Sequence, residues 1–299
     1  MPSIKVYLQA ARLHTLPLSL SGIITGSFLA ASRGYFDLRI LIPALLTTTG
    51  FQVLSNFAND YGDGIKGTDD MRIGPERVLQ SGKMSPSRLK KVIILAAVAS
   101  LASAVWLLYE AFGTSHLLYF VIFMLLGLAS VYAAITYTVG KNAYGYYGWG
   151  DLSVFLFFGL LSVAGSFFLY TKQWDWTVLA PGVSIGLLST GVLHLNNMRD
   201  REPDIRSGKR TMAVFLGEER SKKYFYYLTG FSLLFALFYS NYHYHSPFQY
   251  LFVLAYIPLV KQLVRVWQNR RPEHLNKELK ILVISTFVFS ILFGAGQVL

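Results

Sequence analysis

Two stretches carry the residues that could do chemistry. The first runs Asn56-Phe57-Ala58-Asn59-Asp60-Tyr61-Gly62-Asp63-Gly64-Ile65-Lys66 and continues to Asp69 and Asp70. The second runs Asn196-Asn197-Met198-Arg199-Asp200-Arg201-Glu202-Pro203-Asp204 and continues to Lys209 and Arg210. On a helix, Asn56, Asp60 and Asp63 share one face at i, i+4 and i+7, and Asn59 and Asp63 form a further i, i+4 pair. Asp200 and Asp204 repeat the i, i+4 spacing. Pro203 is expected to kink or end that second helix and to leave Asp204 just past the break. Carboxylates this close repel, and a divalent cation between them relieves the repulsion. Oxygen-only donors suit Mg²⁺, which takes one or two carboxylates and fills its shell with substrate phosphates. The basic neighbours Lys66, Arg72, Arg77, Lys209 and Arg210 suit direct contact with phosphate oxygens.

The elements that position these residues are membrane helices. The 299 residues are 53% hydrophobic, 15% aromatic and only 14% charged, with a mean hydropathy of +0.42. A soluble domain carries roughly 25% charge. That balance excludes disorder, coiled coil, collagen and most soluble enzymes. The absence of cysteine excludes disulfides, thiolate metal sites and a cysteine nucleophile. Nine apolar segments are each close to the ~20 residues that cross a bilayer, at about 13–32, 40–58, 92–109, 117–138, 152–171, 177–195, 224–240, 248–264 and 281–298. The fold class is therefore all-α, polytopic, with nine transmembrane helices. The first segment is long and followed by eight more, so it reads as a span and not as a cleaved signal.

Basic residues set the orientation. Of 27 Lys and Arg, 24 fall on the N-terminal side of the alternation, leaving Arg33, Arg39 and Lys172 on the other. The N-terminus is thus expected in the cytoplasm. The net charge of +11 belongs to the inner loops and needs no nucleic acid to explain it. Both acidic stretches lie on that inner face. Charged loops of membrane proteins are commonly only solvated. Against this, the acid pair recurs after spans two and six, led each time by asparagine. Acid pairs with basic neighbours at a membrane face fit a lipid diphosphate held by Mg²⁺, with its tail among the helices. The recurrence after about 140 residues hints at two pseudo-repeats of four helices plus a ninth, within one domain over 1–299.

At this point the residues resemble the UbiA-type intramembrane prenyltransferases. Asn59-Asp60-x-x-Asp63 fits that family's N-D-x-x-D, Asp200 and Asp204 fit its D-x-x-x-D, and Tyr137-x-x-x-Lys141 fits its Y-x-x-x-K. Other branches place a further Asp four residues after the second, whereas here Asp69 lies six after Asp63. Arg72-Ile73-Gly74-Pro75-Glu76-Arg77, Tyr144-Gly145-Tyr146 through Gly150-Asp151, and Asn196-Asn197 look most like the branch acting on 1,4-dihydroxy-2-naphthoate. The resemblance implies Asp60, Asp63, Asp200 and Asp204 as catalytic residues. With Asn59, they are also the Mg²⁺ ligands it implies. It implies a substrate-binding set of Asn56, Asn59, Lys66, Arg72, Arg77, Tyr137, Lys141, Asp151, Asn197, Lys209 and Arg210. Asp60, Asp63 or Asp151 would deprotonate or orient the ring hydroxyl. The implied reaction joins the chain of a polyprenyl diphosphate to the naphthoate, with loss of CO₂ and diphosphate, giving demethylmenaquinone. It would occur at the cytoplasmic face of the bacterial inner membrane.

Other residues read more simply. His194 suits helix packing or the interface, and His243 and His245 an outer loop. Tyr144, Tyr146, Tyr147 and Trp149 suit an interfacial aromatic belt, with a substrate wall as the alternative. Gly22 and Gly26 form a G-x-x-x-G for close helix packing. Gln52 either pairs with a helix neighbour or lines the chamber. A secondary transporter of an organic anion competes, but it would bind near the midplane, where charge is almost absent. A sibling enzyme acting on 4-hydroxybenzoate or another ring also competes, and the Arg-x-Gly-Pro-x-Arg stretch favours the naphthoate branch over it. A CDP-alcohol phosphotransferase needs D-G-x-x-A-R, and Asp63-Gly64 is followed by Ile65-Lys66-Gly67-Thr68, which fails.

Overall fold

A computed structural model describes residues 3–68 and 73–299 of the chain, and these are helical with no strand among them. The helices are α1 (Ile4–Ala11), α2 (Leu16–Ser32), α3 (Leu38–Lys66), α4 (Pro86–Phe112), α5 (Leu117–Thr136), α6 (Gly150–Thr171), α7 (Leu179–Arg199), α8 (Arg201–Arg206), α9 (Met212–Tyr242), α10 (Tyr256–Gln268) and α11 (Leu275–Val298). Among the described residues, eight helical stretches are long and apolar enough to cross a membrane. They match eight of the nine expected spans. The ninth, 224–240, lies in α9, which is long enough but whose tyrosines and serines dilute its hydropathy.

The chain forms two compact units. The first comprises Met1–Leu16, Arg39–Gly150 and Asp200–Thr211. Here α3 runs unbroken to Lys66, so Asn56, Asp60 and Asp63 do share a helical face. The segment after α3 folds back and buries Val78 and Met84 against Leu54 and Phe57 of α3, Leu89 of α4 and Ala11 of α1. Without a side chain, Gly50 lets α3 approach Ser100 of α4 closely. A Cβ on Gly62 would collide with Thr138 after α5, whose hydroxyl donates to Ala58 O at 3.1 Å.

The second unit comprises Pro17–Leu38, Asp151–Arg199 and Met212–Leu299. Gly22 and Gly26 of α2 pack against Ser162, Val163 and Ser166 of α6, as the G-x-x-x-G implies. Over Phe155–Leu161 the backbone of α6 widens into a π-helical turn, where Gly159 meets Gly186 of α7. Phe252, Tyr256, Phe289 and Phe293 fill the C-terminal part of this core. His243 Nε2 lies 2.9 Å from Thr177 Oγ1, so this histidine is tied in and not merely part of an exposed loop.

Candidate active site

Both acid pairs fall in the first unit. At the end of α3, Asp60 is 1% exposed, and its two carboxylate oxygens accept from Val78 N (3.3 Å) and Leu79 N (3.4 Å). Asp63 is also buried. Its Oδ1 accepts from the Tyr146 phenol at 2.6 Å, and its Oδ2 lies 4.0 Å from Arg77 Nη2. The Thr68 hydroxyl lies 2.9 Å from the same phenol oxygen. Over the Tyr146 ring stands Lys66 Nζ, 4.0 Å from the centroid, with Lys209 Nζ 5.2 Å from it. One tyrosine therefore joins the first acid pair to a cation from each motif loop. Ammonium groups are attracted to an aromatic face, which here holds two like charges near one another.

The second pair is arranged differently from expectation. The helix break comes at Asp200, three residues before the proline, and Asp204 lies past that break, inside the short helix α8. The reason is steric. A proline ring clashes with the carbonyl four residues earlier, so Pro203 ends α7 at Arg199. Within the first turn of α8 its missing N–H costs nothing. Asp204 N donates to Asp200 O at 2.9 Å, and Lys209 N donates back to Asp204 O at 2.8 Å. That loop brings Lys209 Nζ to 3.9 Å from Asp204 Oδ1. Arg210 contributes its backbone, donating to Tyr146 O at 2.9 Å, while its side chain is exposed.

Several expected site residues make contacts of their own. Asn56 spends its amide on Ala11 O (2.9 Å) and Thr15 Oγ1 (3.1 Å), tying the end of α1 to α3. Gln52 pairs with Asn56 Oδ1 at 3.3 Å. Asn59 Oδ1 accepts from Thr138 at 3.3 Å. Tyr137 meets Tyr144 edge-on at 5.3 Å, and Lys141 is exposed. Asp151 and Asn197 belong to the second unit and are buried there. Arg72 and Asp69 lie outside the described residues.

Tyr146 is the residue that the sequence reading missed as a site residue. Tyr147 and Trp149 are exposed, as a belt requires. Tyr146 is turned inward by the chain at Gly145, where a Cβ would press on Tyr137 O. Adjacent glycine was the available signal, and it is weak.

Among the described residues, no three His, Asp or Glu side chains gather into a metal cage. The donors nonetheless suit a hard cation. They are carboxylates and amide oxygens in pairs, and Mg²⁺ is commonly held by one or two carboxylates together with substrate phosphates. Soft or borderline metals find no sulfur here, since the chain has no cysteine.

Comparisons with known proteins point to one family. The profile of the UbiA prenyltransferase family matches residues 19–291. A 1,4-dihydroxy-2-naphthoate octaprenyltransferase of Haemophilus influenzae is 41% identical over 98% of the chain and 96% of its own length. The enzyme of the same description from Escherichia coli K12 is 40% identical over 98% and 94%. The structure of a UbiA homolog from Archaeoglobus fulgidus bound to GPP and Mg²⁺ superposes with a TM-score of 0.66 at 15% identity, covering 96% of this chain and 99% of that one. An apo UbiA homolog from Aeropyrum pernix K1 gives 0.67 at 16%, covering 95% and 96%. At such identities these structures share the fold alone.

Proposed function

Because this chain belongs to the UbiA prenyltransferase family, we propose that it transfers the chain of a polyprenyl diphosphate to 1,4-dihydroxy-2-naphthoate, with loss of diphosphate and CO₂. The ring leaves at the hydroquinone level, as the reduced form of demethylmenaquinone. Two octaprenyltransferases of that specificity, each matched over nearly its whole length, support the acceptor. The observation that carries the chemistry is the tie from Asp63 through Tyr146 to Lys66 and Lys209. It gathers acid and cation from both motif loops within one unit, as a metal-bound diphosphate requires.

Asp60, Asp63, Asp200 and Asp204, with Asn59, are the residues proposed to hold Mg²⁺. The ion would neutralise charge on the departing diphosphate. Lys66, Lys209 and Arg77 bind phosphate oxygens directly, and the same cations oppose the charge that builds as the allylic C–O bond breaks. Half-buried Tyr146 and Thr68 fix Asp63, so little reorganisation accompanies ionisation. Apolar helices keep water from the allylic carbon. The bias of basic residues toward one side supports a cytoplasmic active face, a cytoplasmic N-terminus and a bacterial cytoplasmic membrane, within a single domain of nine spans.

The test offers purified protein in liposomes a polyprenyl diphosphate, Mg²⁺ and an equimolar mixture of the naphthoate and 4-hydroxybenzoate. Prenylated product from the naphthoate is expected in large excess. Product from 4-hydroxybenzoate alone would keep the reaction class and overturn the acceptor.

A further inference from the structure

One side-chain amide of the first unit is left with an oxygen that no donor among the described residues serves. The Thr15 hydroxyl donates to Arg12 O at 2.9 Å, so toward Asn56 its oxygen only accepts. Buried Asn56 spends one Nδ2 hydrogen on that oxygen (3.1 Å) and the other on Ala11 O (2.9 Å). Its Oδ1 is therefore the atom left to face Gln52, and an amide oxygen only accepts. Gln52 must present Nε2 to it, and does so at 3.3 Å. Successive hydrogen bonds thus dictate which way the Gln52 amide lies, with Oε1 turned from Asn56. That oxygen is buried and has no hydrogen-bond partner. The residue as a whole is half-buried, so the oxygen lies just beneath the packed surface.

An unserved carbonyl oxygen in the apolar part of a helix is costly. Gln52 precedes Asp60 on the same side of α3 by about 12 Å along the axis. A metal-bound diphosphate, its prenyl carbon and a fused two-ring acceptor fill such a distance end to end. Of the two proposed substrates, the prenyl diphosphate brings C–H bonds and phosphate oxygens and has no donor to offer an amide oxygen. The acceptor brings two hydroxyls. Its 1-hydroxyl stands beside the carboxylate and donates to it within the molecule. Its 4-hydroxyl has no such neighbour. We propose that Gln52 Oε1 accepts the hydrogen bond of the acceptor's 4-hydroxyl and so selects a 1,4-diol ring. This contact rests on the reaction proposed above.

The bond discriminates through what a wrong ring lacks. A ring without the 4-hydroxyl leaves Oε1 as bare in the complex as in the free protein, and only the diol relieves that cost. A site built on a substrate hydroxyl rejects the analogue lacking it for this reason. The 4-hydroxyl lies across the ring from the 1-hydroxyl, so Gln52 selects and orients the acceptor and takes no part in bond making. The side chains that cover Oε1 shift as the ring enters, an adjustment common at binding surfaces.

The test measures dissociation constants of 1,4-dihydroxy-2-naphthoate and 1-hydroxy-2-naphthoate, without oxygen, for the wild type, Gln52→Leu and Gln52→Met in liposomes with Mg²⁺ and inorganic diphosphate. KM for the prenyl diphosphate is measured beside them. The wild type is expected to bind the diol tighter by about tenfold or more, the scale of one buried hydrogen bond. Both variants should bind the two naphthoates alike, with KM for the prenyl diphosphate unchanged. Methionine keeps the length and flexibility of glutamine and carries the test should leucine prevent folding. A purely structural Gln52 would weaken both naphthoates equally and leave the preference intact. That preference, unchanged in either folded variant, would overturn the contact. So would a wild type that binds both naphthoates equally, a result that needs no variant to fold. Prenyl transfer is read on the same samples. A wild type that keeps the preference but makes no prenylated naphthoate would overturn the reaction, and with it this contact's role in selecting a substrate.

Discussion

Tyr146 donates its phenolic proton to Asp63 at 2.6 Å, and so couples the loop after α5 to the first acid pair. The same ring holds Lys66 and Lys209. Tyr146→Phe removes the bond to a carboxylate but keeps the ring. A hydrogen bond to a charged group contributes about 1.5–3 kcal/mol, so KM for the prenyl diphosphate should rise by roughly tenfold or more. Tyr146→Leu also removes the aromatic face, and the further loss should be about 0.5–1 kcal/mol for each lysine. Steady-state kinetics with varied diphosphate would show an equal KM in all three proteins if the tie has no role.

Asp63→Ala and Asp200→Ala should each reduce turnover by at least 10²-fold, the scale of one lost electrostatic stabiliser. Both proteins should remain folded and in the membrane, as judged by a single symmetric size-exclusion peak in detergent. Near-normal activity in either would defeat the reading in which both acid pairs serve one diphosphate.

Chelation should abolish activity, and Mg²⁺ should restore it. The donors are carboxylates, amides and hydroxyls without sulfur, a set matched to hard cations. Activity that survives exhaustive treatment with EDTA would remove Mg²⁺ from the account.

Gly62→Ala tests the close approach of α3 to the segment after α5, where a Cβ would overlap Thr138. Overpacking of this kind costs about 1–3 kcal/mol, so the midpoint of thermal unfolding in detergent should fall. Gly34, where nothing lies within 4 Å of an added Cβ but φ is +82°, provides the contrast of backbone strain without crowding.

The membrane architecture was legible because it rests on bulk properties. Runs of apolar residues and one-sided basic residues survive any detail of packing. The one span that composition blurs is α9, where tyrosines and serines stand among the apolar residues. The acid pairs were legible too, because i, i+4 spacing becomes adjacency once the helix forms, and α3 does run past Asp63. Contacts made across the chain were not. Asp63 and Tyr146 are 83 residues apart, and a tyrosine beside Tyr147 and Trp149 carries only the weak mark of an adjacent glycine. Asp151 and His194 were each visible alone. Their approach to 3.8 Å follows from how α6 and α7 pack, and periodicity does not encode that. Pro203 was read correctly as a breaker but placed one turn off, since its clash falls four residues upstream.

Orientation can be read directly, because the chain has no cysteine to remove. A single cysteine at Ser207, beside the second acid pair, should react with a membrane-impermeant maleimide only after the cells are opened. One at Gln173, between α6 and α7, should react in intact cells. The reverse pattern would invert the proposed topology.

The most direct test of the central claim follows three products of one reaction. Purified protein in liposomes is given Mg²⁺, a polyprenyl diphosphate and naphthoate labelled in its carboxyl carbon. Labelled CO₂, diphosphate and prenylated ring should appear together in equal amounts, and none should form without the naphthoate. Diphosphate release without labelled CO₂, or a prenylated ring that keeps its label, would contradict the proposed reaction.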